Sequence, residues 1–206
     1  MSSATDPDAP ARPDRRRDIL DAALACFLEQ GIEPTTIEAI RERCGASVGS
    51  IYHHFGSKDG ILAALCLRAL DEQSASMARA TAGAPTARDG VRGLVLGYLD
   101  WVEADPTLAR FLFQARPLVA RGPRAADLAE RARQRNAALL AWFEPHRAGG
   151  ALRDLPCEIY PSLVIGPAQS YSRAWLAGGE LAPPAVYREV LADAAWRAVA
   201  APDAGG

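Results

Sequence analysis

The stretch Thr35–Lys58, TTIEAIRERCGASVGSIYHHFGSK, decides the fold of this chain. Its apolar spacing predicts a short helix, a tight turn at Gly45 and a second short helix that Ser47 caps. A capping box, Thr35-x-x-Glu38, is expected to start the first helix. Two short helices joined by a glycine turn form the layout of a helix-turn-helix, in which the second helix enters the major groove of DNA.

Small residues begin the second helix. Ser47, Gly49 and Ser50 would let its backbone come close to DNA, and its N-terminal amides suit a phosphate. Tyr52 and Lys58 supply a phenol and a cation for phosphate contacts. Helix pairs with a glycine turn also occur in helical proteins of other functions, so spacing alone leaves DNA binding and an ordinary helix pair both open.

The remaining sequence predicts an all-α fold of about nine helices. Asp14 is expected to cap the first helix, Gly31 to end it, and Ser57 to cap a longer helix. Residues 14–56 are interpreted as a first helical domain of three helices and residues 57–200 as a second helical domain. The helix 57–80 links the two. Pro167 is expected to kink the last helix but one.

Composition excludes several classes of protein. The 206 residues are 49% hydrophobic and 23% charged, with a net charge of −2. Because the first sixty residues hold seven Lys or Arg against ten Asp or Glu, any DNA affinity must come from local placement of charge. Met1 to Asp14 has no apolar run typical of a secretory signal, and no stretch is long enough for a membrane span. A cytoplasmic protein without membrane association is expected.

The sequence shows no pattern typical of a metal site or an enzyme. Cys26, Cys44, Cys66 and Cys157 have no metal-ligand spacing. The first three lie in apolar helical patterns and are interpreted as buried thiols, with a redox sensor as the alternative. Nucleophile elbow, phosphate loop and paired-carboxylate motifs are absent, so neither catalysis nor a cofactor is expected.

Residues 15–70 resemble the DNA-binding domain of the TetR (tetracycline repressor) family. The run Gly49-Ser50-Ile51-Tyr52-His53-His54-Phe55, followed by Ser57-Lys58, carries most of the specificity. The other matching positions are Ile19-Leu20-x-x-Ala23, Phe27, Gly31, Thr35-Thr36, Ile40, Gly45, Ser47 and Leu62. The resemblance implies three DNA-binding helices, a linking fourth helix and a divergent ligand-binding domain.

The resemblance also implies roles for individual positions. Phosphate contacts fall on Thr36, Tyr52 and Lys58, and His53 and His54 become neighbours of the DNA backbone or bases. The groove-facing positions are Ser47, Val48, Gly49 and Ser50. A metal site at the two histidines is disfavoured because adjacent helical residues point in different directions.

Two basic features are left open. The family usually has a small alanine where Arg41 stands, and this guanidinium either reaches a phosphate or is a solvated surface charge. Arg12 and Arg15, Arg16 and Arg17 form either a basic arm that reaches DNA or a solubilising patch.

The C-terminal half contains an aromatic set that is either core or the lining of a ligand cavity. Its candidate ligand-binding members are Trp101, Phe111, Trp142, Tyr171 and Trp175. Because few charges interrupt these helices, a mostly apolar small molecule is expected. One orienting polar contact could come from Arg110, Arg116, Glu144 or His146.

The expected function is a dimeric transcriptional regulator, a repressor released from operator DNA by a small ligand. The last two helices present small and medium residues suited to a homodimer: Ala168, Tyr171, Ala174, Val190, Leu191, Ala194 and Ala198. The alternative is a helical enzyme or small-molecule-binding protein that does not act on DNA.

Overall fold

The structure, a computed structural model, describes residues 14–202 and contains nine α-helices and no strand in that range. Two short 3-10 helices, Cys157–Ile159 and Pro184–Tyr187, precede the last two α-helices. The α-helices are α1 (Arg15–Gln30), α2 (Ile37–Cys44), α3 (Val48–Phe55), α4 (Lys58–Thr81), α5 (Ala87–Ala104), α6 (Pro106–Val119), α7 (Ala125–Ala148), α8 (Tyr160–Leu176) and α9 (Arg188–Val199). The all-helical prediction is confirmed.

Polar side chains fix where several helices begin. Asp14 accepts a hydrogen bond from the amide of Arg17 at the start of α1, and Ser47 does the same for Ser50 at the start of α3. Ser57 Oγ accepts from the amide of Gly60 at 3.1 Å, which confirms its predicted cap of α4. Each such cap stabilises a helix by about 1 kcal/mol.

The predicted capping box at Thr35 is wrong by one residue. Thr36 is the N-cap of α2, and its Oγ1 accepts from the amide of Ala39 at 3.1 Å. Thr35 is buried instead, and its hydroxyl donates to the carbonyl of Gly31 at 2.7 Å. Glu38 does not complete a box, because its carboxylate pairs with Arg41.

One compact unit ends at Ile61. Its core joins α1, α2 and α3 through fully buried apolar side chains, among them Ile19, Phe27, Ile40 and Ile51. Apolar residues at helical spacing place these side chains on inward faces, so the three helices bury a shared core.

A second unit begins at Leu62. Its helix α5 is buried along most of its length and packs against α8 and α9. The guanidinium of Arg92 on α5 binds the carboxylates of Glu189 and Asp193 on α9. Arg188 of α9 donates to Asp100 of α5 at 2.8 Å. Ion pairs thus flank the apolar contact between these two helices.

The last two α-helices begin later than the sequence predicts, and prolines lie near both starts. The predicted helices near 158 and 184 each start as a 3-10 turn, and α-helix begins only at Tyr160 and Arg188. Pro184 has no amide proton to donate, which suits a helix start but not a helix interior. Pro167 lies inside α8, and the helix continues through it. No helix in the described range has the length and hydropathy to cross a bilayer.

Candidate DNA-recognition helix and ligand cavity

The turn between α2 and α3 depends on a left-handed glycine. Gly45 has φ 62° and ψ 17°, and its amide donates to the carbonyl of Arg41 at 2.9 Å. This conformation costs glycine nothing but strains residues with a Cβ. It ends α2 and allows Ser47 to start α3 only two residues later.

Helix α3 has one buried and one open face. Ile51 is fully buried, whereas Val48 is 39% exposed and Tyr52 is 51% exposed. Gly49, His53 and His54 are also exposed, and Ser50 is half-buried. The predicted groove-facing and phosphate-contacting side chains of α3 therefore lie together on an accessible surface.

Lys58 differs from its predicted role as a phosphate anchor. Its ammonium donates to the carbonyls of Ile32, Glu33 and Thr35 at 3.1, 2.8 and 2.9 Å. An ammonium has three protons, so all its donors are engaged within the protein. Lys58 thus holds the loop before α2, and that loop presents Thr36.

Several other basic residues of this unit also have partners within it. Arg41, half-buried, pairs with Glu38 through Nε at 2.6 Å, which favours the surface-charge alternative. Arg16 lies over the ring of Phe55 at 5.5 Å, and Arg17 lies 3.8 Å from Asp21. Arg15 is exposed. Arg12 lies outside the described residues, so the structure adds nothing on its role.

The second unit contains a cavity of about 850 Å³. Side chains of α4, α5, α6, α7 and α8 line it, together with Glu158 of the 3-10 turn before α8. Three arginines, Arg116, Arg131 and Arg135, lie in its wall. This volume is within the range of small-molecule sites, which run from about 300 to 1,000 Å³.

The predicted aromatic lining is largely wrong. Of the five candidates only Trp142 lines the cavity. Trp101 and Phe111 are buried in the core, and the hydroxyl of Tyr171 donates to the carbonyl of Ala182 at 2.8 Å. Trp175 is half-buried and outside the cavity wall. These helices bury aromatic side chains against one another, so helical spacing alone does not separate core from lining.

Trp142 owes its position to a glycine. A Cβ on Gly90 would lie 2.1 Å from Cζ2 of the Trp142 ring, so this ring needs the bare backbone of α5. His146 follows one turn later, with ring centroids 4.6 Å apart. Of the four proposed polar contacts, Arg116 lines the cavity. Arg110 donates to the carbonyl of Leu176, and Glu144 pairs with Arg147.

Sequence analysis missed Gln73, Arg131 and Arg135 as lining residues. The signal was present on α7, where lining residues recur at helical spacing: Arg131, Gln134, Arg135, Ala138, Leu139 and Trp142. The same helix also carries exposed Arg133, which pairs with Glu130, so spacing alone does not identify the lining arginines.

The cysteines have no metal-binding arrangement. Cys26 and Cys66 are buried as predicted, whereas Cys44 is only half-buried. Burial raises the pKa of the Cys66 thiol to about 12, which keeps it protonated and unreactive at neutral pH. No group of three His, Cys, Asp or Glu among residues 14–202 could hold a metal ion.

Comparison with known proteins agrees with this architecture. Residues 19–65 match the model of bacterial regulatory proteins, tetR family. The HTH-type transcriptional regulator BetI 1 of Chromohalobacter salexigens is 32% identical over 100 residues, covering 48% of this chain and 50% of that protein. The HTH-type transcriptional repressor Rv1474c of Mycobacterium tuberculosis is 35% identical over 104 residues, covering 48% of this chain and 51% of that protein. The chain thus spans about half the length of these two relatives.

The fold similarity extends over almost the whole chain. A bacterial regulatory protein in the tetR family from Rhodococcus RHA1 superposes with a TM-score of 0.76. The match covers 93% of this chain and 100% of that structure at 21% identity. The family model thus matches residues 19–65, whereas the similarity of fold to this structure extends over 93% of the chain.

Proposed function

We propose that this chain is a transcriptional regulator of operator DNA, because residues 19–65 match the model of bacterial regulatory proteins, tetR family. The observation that carries the proposal is the two-faced helix α3. Its buried Ile51 fixes it to the core, and its open face presents Val48 and Tyr52 after a left-handed turn. This is the geometry of a recognition helix that enters a major groove.

The exposed positions divide into base and phosphate contacts. Val48 and Ser50 suit base edges, since an apolar side chain contacts a thymine methyl and a hydroxyl pairs with either donor or acceptor. Thr36, Tyr52 and the amides near Ser47 suit phosphates. The negative net charge makes this local arrangement the source of affinity. Gly49 has no side chain, so the DNA backbone can approach it closely. His53 and His54 would lie beside the DNA.

Selection of bound fragments from genomic DNA with the purified protein tests this assignment. The selected consensus should change for Val48→Lys and stay the same for Leu118→Lys. Leu118 is a matched control because it has similar exposure, 41% against 39%, but lies on α6. An unchanged consensus for Val48→Lys contradicts base contact by this side chain. Absence of any specific DNA binding by the wild type favours the helical enzyme or small-molecule carrier instead.

The proposed regulator acts as a homodimer through α8, α9 and the turn before α9. Val186, Tyr187 and Val190 are 62%, 42% and 62% exposed, and their spacing of three and four residues puts them on one side. Ala168 does not contribute, because it is buried within the protomer. A second copy would cover this apolar surface and give the two recognition helices a fixed spacing.

Light scattering tests the dimer. Val190→Asp should give monomers at micromolar concentration, because the dimer would bury an unpaired charge. It is sharper than Leu191→Asp, since Leu191 is half-buried in the protomer and its replacement also disturbs the fold. Leu118→Asp is the control and should remain dimeric. A monomeric wild type overturns the dimer.

The proposed regulator acts in the cytoplasm, and a ligand bound in the cavity would control its affinity for operator DNA. A molecule that binds the free protein more tightly than the DNA-bound protein lowers operator affinity by the same factor. Wild-type protein bound to operator in a gel shift should therefore release it when a ligand identified by thermal shift is added. A ligand that stabilises the protein and leaves operator affinity unchanged contradicts release.

A further inference from the structure

The cavity of the C-terminal unit has a polar end and an apolar end. On α7 its lining runs from Arg131 and Arg135 to Leu139 and Trp142. Arg131 and Trp142 are eleven residues apart, about 16 Å along the helix at 1.5 Å per residue. Arg131 pairs with Asp71 near the middle of α4, through Nε at 2.9 Å, which fixes α4 against the polar end.

The apolar end is defined from α4 and α5. The close approach of Gly90 to Trp142 brings the first turn of α5 to this end. A Cβ on Gly93 would lie 2.5 Å from the carbonyl oxygen of Ala80, which places the end of α4 close to the same turn of α5. Met77 and Leu94 belong to the wall here. The cavity therefore changes from charged to apolar along its length.

Two arginines at the polar end lack a carboxylate partner. Within residues 14–202, the guanidinium groups of Arg116 and Arg135 form no ion pair or hydrogen bond, whereas the guanidinium of Arg131 is neutralised by Asp71. Burial, followed by the charge of nearby Arg116, lowers the pKa of Arg135. An arginine stays protonated in proteins, so two like charges face the cavity at close range.

A buried amide marks the same end. Gln73 is 6% exposed, lines the cavity, and has no hydrogen-bond partner in the described part of the chain. It lies two residues from Asp71 on α4. Its amide is not among the described polar atoms that are shut off from both solvent and a partner, so it faces the open space of the cavity. The amide can both donate to and accept from a bound molecule.

We propose that this cavity binds an organic anion with an apolar body, its carboxylate or phosphate head held by Arg116 and Arg135 and its body directed toward Trp142. A guanidinium binds either head group through two parallel N–H donors. Gln73 supplies a further hydrogen bond. The assignment of this molecule as the regulating ligand rests on the proposed function. It replaces the mostly apolar ligand expected from sequence.

The carboxylate of Glu158 does not oppose this assignment. Glu158 is exposed and neighbours Cys157, whose Sγ lies 3.6 Å from Oε2 of Glu144 on α7. Glu144 is nine residues beyond Arg135, about 13 Å along the helix. Glu158 therefore lies toward the opposite end of α7 from Arg135, where the apolar body of the ligand would enter.

Titration calorimetry of the full chain with matched probes tests the inference. The probes are octanoate, decanoate and palmitate, with decyl phosphate and methyl decanoate as the phosphate and neutral counterparts, each below its micelle concentration. At least one anion should bind about tenfold more tightly than methyl decanoate, since hydrogen bonds to charged groups are the stronger ones. The ratio of decanoate to decyl phosphate affinity identifies the head group.

Three variants locate the head group. Arg135→Gln and Arg116→Gln should each weaken binding of the anion about tenfold and leave methyl decanoate unchanged. Arg133→Gln is the matched control, because Arg133 is exposed on the same helix, pairs with Glu130 and does not line the cavity. Its affinity should equal that of the wild type. Tryptophan fluorescence of each variant checks that the unit is folded.

The outcomes separate this inference from the proposed function. Equal affinity for decanoate and methyl decanoate, or unchanged affinity in both folded arginine variants, overturns the anion assignment. Failure of every anionic probe to bind overturns it as well. None of these results affects operator binding, which a gel shift of the same preparations measures independently. Anion binding that depends on Arg135 in a protein with no specific DNA binding supports the cavity assignment and contradicts the proposed function.

Discussion

The N-terminal unit exposes its candidate functional residues on one eight-residue helix, whereas the C-terminal unit encloses its own among five longer ones. Ser47, Val48 and Tyr52 belong to one short segment, and the cap at Ser47, the helical hydrogen bonds and the burial of Ile51 set their positions. Gln73 and Arg135 are 62 residues apart in sequence and meet only through packing of α4 and α7. A local site is visible in sequence, and a site assembled from distant helices is not.

The two units also stabilise themselves differently. In the first, polar groups hold short helices and loops, as Lys58 does through three carbonyls. In the second unit, burial of the apolar faces of long helices provides the stabilisation. On α5, Val91, Val95 and Tyr98 are fully buried. The first unit depends on packing as well, since Ile19, Phe27, Ile40 and Ile51 are buried in its core.

The strongest test of this division places a charge in the core of the first unit. Ile51→Asp should abolish specific DNA binding, because an unpaired buried carboxylate costs several kcal/mol. All four tryptophans lie beyond residue 61, so tryptophan fluorescence reports on the C-terminal unit alone. Its melting curve should be nearly that of the wild type. A parallel loss of the fluorescence transition would mean that the two units do not fold independently.

The next largest effect is expected at Lys58, the single lysine among 206 residues. Lys58→Arg should destabilise the first unit by about 2 kcal/mol, since a planar guanidinium does not match three converging carbonyls. Protease sensitivity of the loop 31–35 measures this. Lys58→Ala removes the charge and should leave the salt slope of operator binding unchanged, because the ammonium is engaged within the protein. A slope lower by about one unit per subunit would restore the phosphate contact inferred from the family resemblance.

Amine labelling gives an independent measurement of the same contact. Because no other side chain carries a primary amine, acylation of Lys58 can be followed by peptide mass spectrometry, which separates it from acylation of the α-amino group. The folded protein should react slowly, and urea should restore the rate. DNA should have little further effect, whereas a phosphate-bound lysine would be protected chiefly by DNA.

Sequence predicted three helix caps correctly, and physical reasons explain both that success and the errors elsewhere. The caps at Asp14, Ser47 and Ser57 are local, so composition and spacing suffice. Thr35 and Thr36 were exchanged because both are compatible with a cap, and only the burial of Thr35 separates them. The hydrogen bonds of Lys58 reach 23 to 26 residues back along the chain, beyond any local pattern.

The prediction of the cavity lining failed for a different reason. Aromatic content suggested a lining, but Trp101 and Phe111 fill the space between helices and leave Trp142 alone of that set at the cavity. The charged lining was overlooked because a surface arginine and a cavity arginine have the same spacing on α7. Only the partners separate them: Arg133 has Glu130, and Arg135 has no carboxylate within the described residues.

A smaller effect is expected where the first unit contacts DNA through a single hydroxyl. Tyr52→Phe should weaken binding to different operators uniformly, by roughly fivefold, because one phosphate hydrogen bond contributes about 1 kcal/mol. Leu118→Ala provides the control, as Leu118 has similar exposure, 41% against 51%, and lies on α6, outside the proposed dimer surface. Operator-dependent losses for Tyr52→Phe would indicate a base contact instead.

The smallest effect concerns an exposed ion pair of the first unit and its dependence on pH. Arg43 donates to Glu29 at 2.6 Å and joins α2 to α1, and its guanidinium holds the pKa of that carboxyl below its usual value of 4.5. A depressed folded-state pKa means that the stabilisation is present above the unfolded value and is lost as pH falls through the lowered one.

Wild type should therefore melt slightly above Glu29→Gln at pH 7, and this gap should close in acid, where Glu29 is protonated in both states. Glu33→Gln removes the same charge from a residue without an ion pair among the described residues, so it should show no such gap. Circular dichroism melts at several pH values measure both differences. A gap for Glu29→Gln that persists below its folded-state pKa would mean that its cause is packing, since a protonated carboxyl no longer attracts Arg43.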